Sequence, residues 1–179
     1  MLGYMVKLMA KICDICDASR GSLSSYAYTL LLIYYLQRCR PAVLPVLQEL
    51  DAASRPPRRV DGSDVGFFTE LDRLRQHWPE AGRNTCSVGE LWAGFLRFYG
   101  EHFDFERNVV CIRRTEVLTK FEKMWNGSYI AIEDPFLLSH NLGGGVRRKS
   151  ESRGRDLYEG LQIDAKDIRG PVIMTCWIQ

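Results

Sequence analysis

Three small groups of residues in this 179-residue chain carry side chains suited to chemistry. Lys7 and Lys11 lie four apart. On a helix that spacing puts two ammonium groups on one face, one turn from each other. There they can serve a chain of phosphates as point charges, or simply solvate the face. Ser24, Ser25 and Tyr26 are consecutive. Hydroxyls in the first turn of a helix add donors to free backbone N–H groups that already favour an anion. The Tyr26 ring offers a flat face on which a base can stack. The third group lies in "IEDPFLLSHN", Ile132 to Asn141, where Asp134 precedes a proline and His140 follows just ahead of Gly143-Gly144-Gly145. A ring N–H of His140 can donate to an acceptor such as O4 of uracil. The amino donor of adenine would suit only the other tautomer. Asp134 can accept from a base N–H or hold the imidazole. The same residues also describe a plain surface turn, capped by Asp134 with His140 in solvent.

Several other kinds of chemistry are missing. No Gly-Ser pair leads into an Asp-x-Asp strand, which two-metal nucleotidyl transfer requires. No Ser-His-Asp or Cys-His arrangement has supporting context. Cys13, Cys16, Cys39, Cys86, Cys111 and Cys176 are scattered and read as free thiols of a reducing compartment. Cys13-x-x-Cys16 lacks the second Cys/His pair that a zinc site needs. The net charge of +2, with pI ≈ 8.2, permits nucleic acid without demanding it. A hydrophobic fraction of 46% is ordinary for one globular domain with a real core. The apolar run Leu30 to Leu36 is too short to span a membrane.

The elements that must position these groups are mostly helical. Leu2, Met5, Val6, Met9, Ile12 and Cys13 recur at three- and four-residue steps, predicting a helix over Met1 to Cys16. Gly21 suits a left-handed position after it. Ser22 is the candidate N-cap of a second helix that is apolar on nearly every face from Tyr26, and hence buried, ending before Pro41. Residues 51–64, with Arg55-Pro56-Pro57-Arg58-Arg59, read as a solvated loop. A short helix is expected between Val65 and His77. Another, capped near Thr85 or Ser87, carries the stripe Val88, Leu91, Trp92, Phe95, Leu96 and Tyr99. "NVVCIR" and "SYIAIED" read as the two strands of a small ribbon, with "RTEVLTKFEKMWNG" as a helix between them. Residues 148–179 change to a charged, unpatterned composition that predicts a disordered tail.

The segments "CDASRGSLSSYAYTLLLIYYLQ", "PVLQEL", "NTCSVGELWAGFLRFYGEHFDF" and "IEDPFLLSHNLGGGV", in that order, resemble the terminal RNA uridylyltransferases. These belong to the noncanonical poly(A) polymerase group of the DNA polymerase β-like nucleotidyltransferases, and the likeness is greatest to the vertebrate zinc-knuckle type. The resemblance runs from about Leu2 to Val146. It implies a mainly α fold: a helical central domain (1–50), a loop (51–64) and a PAP-associated domain (65–147) with a small two-stranded β element. It further implies that Lys7, Lys11 and Ser25 contact a triphosphate, that Tyr26 stacks on uracil, and that Asp134 with His140 selects it, His140 also crowding out a purine. The implied ligands are UTP and an RNA 3′ end, with no membrane, in the cytoplasm. Mg2+ or Mn2+ would be held by a catalytic palm expected before Met1, so the chain alone is expected to be inactive. The alternative is a non-catalytic RNA or protein interaction module. Leu137 stands where relatives carry an acid, which removes one polar contact to the nucleotide. Relatives also continue into a closing helix where this chain diverges.

Overall fold

A computed structural model describes residues 1–13 and 15–146. The tail expected to be disordered lies outside the described residues. Two helices form the first layer. Helix α1 (Leu2–Ile12) packs along α2 (Ser25–Arg38). Val6 and Ala10 are buried in that seam, and Leu2 and Met9 pack partly against it. Ile12, expected in the apolar stripe, is instead 74% exposed. The helix also stops short of Cys16. After Cys13 the chain turns so that the Ile15 N–H reaches the Ala10 carbonyl, which buries the Ile15 side chain.

Asp17 to Gly21 form a tight turn. The Asp17 side chain accepts from the Ser19 N–H, and Gly21 takes the left-handed φ of 80° expected of it. Ser22 spends its N–H on the Asp17 carbonyl, so it is not the cap of α2. That role falls to Ser24, which is extended and accepts from the Ala27 N–H at 3.2 Å. Ser25 and Tyr26 therefore open the helix. As its all-round apolar sequence predicts, α2 is the buried centre of the molecule, with Tyr28, Leu30, Leu31, Tyr34 and Tyr35 all in the core. Its buried phenols and those packed on it find partners, as they must. Tyr28 donates to the Ile15 carbonyl at 3.0 Å, and Tyr99 to the Leu31 carbonyl at 2.8 Å.

Residues 51–64 hold a hairpin inside the expected loop. Strand β1 (Arg59–Val60) pairs antiparallel with β2 (Ser63–Asp64). Asp61 and Gly62, both at positive φ, make the two-residue turn that suits such a hairpin. The short helix expected before His77 is α3 (Leu74–His77). Ser87 caps α4 (Val88–Arg97), with Glu90 completing a capping box. Phe95, Leu96 and Tyr99 are buried as expected, but Val88 is 41% exposed. The helix runs on as a π-helical turn, Phe98–His102. Phe98, Tyr99 and Phe103 cluster there, with Tyr34 of α2 edge-on to Phe103.

The region after α4 departs furthest from expectation. Strand β3 (Asn108–Val109) pairs with β4 (Leu118–Thr119), not with residues 128–134. Leu118 is buried beside Val109, Cys111 and Ala131, and that burial holds residues 118–119 extended. The helix expected over 114–127 shrinks to α5 (Lys120–Lys123). Thr119 and Glu122 form its capping box, and Met124 ends it at φ 56°. Residues 128–134 run beside Val110 as an isolated parallel bridge: the Val110 N–H donates to the Ala131 carbonyl, and the Glu133 N–H to that of Val110. Two small two-stranded sheets thus decorate a mainly helical fold. Cys13, Cys16, Cys39 and Cys111 are free thiols as expected. Cys176, in the same expectation, lies outside the described residues.

Candidate functional site

The turn carrying Asp134 and His140 is closed by an antiparallel bridge between Glu133 and Asn141. Within it the Asp134 N–H donates to the His140 carbonyl at 3.2 Å, and the His140 N–H to the Leu137 carbonyl at 2.9 Å. One Asp134 oxygen, Oδ1, accepts from the N–H groups of Phe136 and Leu137 at 2.9 and 3.3 Å. The other, Oδ2, faces His140 Nδ1 at 3.7 Å. Asp134 therefore caps the turn and sets its second oxygen near the imidazole, beyond hydrogen-bond reach. With Nδ1 turned to the carboxylate, Nε2 is the ring atom left for a ligand. It donates in the Nε2–H tautomer and in the imidazolium, and accepts in the Nδ1–H tautomer. The His140 side chain is 52% exposed, against 17% for Asp134.

The start of α2 comes to this turn. Tyr26 is 41% exposed. Partial burial pushes its phenol up, and the negative charge of Asp134 pushes it further. Gly21 brings the preceding turn against the glycine run: a Cβ on Gly21 would lie 3.6 Å from the Gly145 carbonyl. The structure thus brings Tyr26 within electrostatic reach of Asp134, which faces His140. Ser25 stands beside them, its hydroxyl 3.0 Å from Cys16 Sγ. The cap bond fixes Ser24 Oγ in place as an acceptor, while Ser25 Oγ makes no cap bond. Lys7 and Lys11 are exposed on α1 and make no side-chain hydrogen bond or ion pair with any described residue. Lys7 lines a shallow cavity of about 290 Å³ with Tyr28 and Thr29. No hydrogen bond among the described residues ties either lysine to Ser25.

Sequence reading missed the residues beneath the turn. Glu133 is only 5% exposed. Its carboxylate accepts from Lys123 Nζ at 2.7 Å and from Cys111 Sγ at 3.1 Å. Burial, together with the charge of Glu133, pushes the Cys111 thiol up to about 12. Lys123 also donates to the Leu138 carbonyl. Lys120 is 3% exposed and donates to the carbonyls of Ser128 and Tyr129. Burial pulls its ammonium below the usual lysine value. Asn141 staples the far end: Oδ1 accepts from Ile132 N–H and Gly143 N–H, and Nδ2 donates to Ser128 Oγ. The only sequence signal for this support was the glycine run, since Glu133 beside Asp134 reads in a sequence as an acidic turn.

Among the described residues no three His, Cys, Asp or Glu side chains converge to hold a metal ion. They offer Mg2+ or Mn2+ no seat. No helix among them is long and apolar enough to cross a membrane.

Residues 87–140 match the family described as Cid1 family poly A polymerase, PAP_assoc. The chain is 55% identical to Terminal uridylyltransferase 7 of Homo sapiens over 149 residues, which is 83% of this chain and 10% of that protein. The structure of a cytoplasmic RNA terminal U-transferase superposes with a TM-score of 0.73 at 39% identity, over 82% of this chain and 46% of the other. Cid1 in complex with the UTP analogue UMPNPP gives 0.73 at 40% identity, over 82% and 44%. The chain thus spans a tenth of the human relative and less than half of the solved ones. Residues 87–140 thus match the family described as Cid1 family poly A polymerase, in a chain whose helical fold is that of the Cid1 nucleotidyltransferase structures and whose sequence is similar to terminal uridylyltransferases.

Proposed function

We propose that residues 1–147 form the UTP-reading half of an RNA terminal uridylyltransferase, an enzyme that adds UMP to RNA 3′ ends. The observation that carries this reading is the turn in which Asp134 faces His140, with the start of α2 brought up to it so that Tyr26 feels the charge of Asp134. Tyr26 stacks on uracil. His140, facing Asp134 across the turn, donates from Nε2 to uracil O4 and fills the space a purine would need. Ser25 and the free ammonium groups of Lys7 and Lys11 take the triphosphate, and Leu137 adds no polar contact. The RNA 3′-hydroxyl attacks the α-phosphate and pyrophosphate leaves. Residues outside the described set supply the carboxylates for that step, with Mg2+ or Mn2+, in a cytoplasmic protein. Support comes from the similarity to uridylyltransferases, from a solved relative that binds a UTP analogue, and from another described as cytoplasmic. Four free thiols among the described residues suit a reducing compartment.

The absence of a metal-binding cluster among the described residues favours a second reading, a non-catalytic module that binds RNA or protein. The test gives the pure chain UTP, RNA and Mg2+ or Mn2+, and measures UTP and ATP binding in parallel. The first reading expects tighter binding of UTP than ATP and no UMP incorporation. Robust metal-dependent incorporation contradicts the inactivity of the isolated chain. RNA binding without any nucleotide preference supports the second reading.

A further inference from the structure

The side-chain contact that orients His140 is weak. At 3.7 Å, Asp134 Oδ2 lies beyond hydrogen-bond reach of Nδ1. The bond that closes the turn, from Asp134 N–H to the His140 carbonyl, is long for its kind at 3.2 Å. The place of the imidazole is therefore decided mainly by the backbone of the turn, and something must hold that backbone.

One side chain spans it. Lys123 Nζ donates to the Glu133 carboxylate at one end of the turn, at 2.7 Å, and to the Leu138 carbonyl near the other. It lies 4.6 Å over the Trp125 ring, which fixes its approach. The pair is screened from water, with side chains 18% and 5% exposed. In that setting the bonds are strong and directional, and loss of one partner strands a buried charge. Lys120, one turn back on α5, grips the carbonyls of Ser128 and Tyr129, so the stem of the same segment is anchored as well.

Resting on the uridylyltransferase reading above, we propose that Lys123 is a positioning residue for base selection. By tying Glu133 to Leu138 it fixes the two ends of the turn and so sets where His140 meets the base. Tyr26, which stands on α2, does not depend on it.

The experiment uses the full 179-residue chain and two variants, Lys123→Met and the pair Lys123→Met/Glu133→Gln. The pair removes the stranded charge and guards against a single variant that does not fold. Amide hydrogen exchange is read at Asp134 and His140, and Kd is measured for UTP and ATP. The proposal expects both amides to exchange faster by about tenfold or more in each variant, with those of α2 and α4 unchanged. The preference for UTP should fall by about threefold or more, the size of a compromised neutral hydrogen bond. The pair should regain thermal stability without regaining the preference. Unchanged exchange at the turn overturns the proposal. So does faster exchange with the wild-type UTP/ATP ratio, or a ratio that returns together with stability in the pair. A wild-type chain with no preference for UTP overturns the uridylyltransferase reading itself and this proposal with it. A wild-type preference that Lys123→Met leaves intact sinks only the role of Lys123.

Discussion

Gly143 lies so close under Ile130 that a Cβ would sit 2.5 Å from its carbonyl oxygen and 2.9 Å from the carbonyl carbon. Both are backbone atoms of the segment that leads into the turn, so the neighbour cannot step aside cheaply. Gly143→Ala should therefore lower unfolding stability by about 1–3 kcal/mol, as overpacking does, in a urea titration. Gly127, with nothing near its Cβ position, should tolerate alanine far better. Much of the candidate site was legible at this scale. The three histidines made His140 conspicuous, and Asp134 and Tyr26 stood out by type and place. Glu133, Lys123 and Asn141 were not legible. Their roles depend on burial and on contacts across the turn, and a sequence marks neither.

At the scale of elements, capping chemistry explains why some predictions held and others did not. A helix start was expected near Thr85 or Ser87, and Ser87 caps α4, with Glu90 completing the capping box. Ser87→Ala should cost about 1 kcal/mol by denaturant unfolding. The same signature, Thr119 with Glu122, lies inside "RTEVLTKFEKMWNG", where the run of helix formers hid it. Burial of Leu118 against Val109 then converted the preceding residues to strand. The Glu122 carboxyl is held down to about 2, from an ordinary 4.5, by hydrogen bonds from the Thr119 hydroxyl, from Arg114 and from the Thr119 N–H. A depressed acid contributes stability that is complete above its ordinary value and lost as pH falls through the depressed one. The cap of α5 should therefore stay closed above pH 4.5 and open as pH falls toward about 2. Amide shifts of Thr119 and Glu122 across that window test this. Movement confined to pH above 5 would contradict it.

Over the whole molecule, one buried helix organises everything else. α2 carries Tyr26 at its start, packs against α1 with its Lys7 and Lys11, and receives Tyr99 from the π-helical turn that follows α4. That centre was readable because its sequence is apolar on every face, and a polar face is what a surface helix would show. How Tyr26 would meet a turn more than a hundred residues later was not readable from periodicity. The arrangement assigns different work to the two ring-bearing residues of the site. A stacking ring serves every base, so Tyr26→Ala should weaken UTP and ATP together. A donor that also blocks purines acts on the difference between them, so His140→Ala should weaken UTP and help ATP. The deciding measurement is kcat/KM for UTP and for ATP in both variants, with a palm supplied by fusion to a related uridylyltransferase. The account predicts that the UTP/ATP ratio falls in His140→Ala by more than the two- to tenfold or so of one lost neutral hydrogen bond, while Tyr26→Ala leaves it nearly unchanged. A ratio unmoved by His140→Ala would make "IEDPFLLSHN" no more than a capped surface turn.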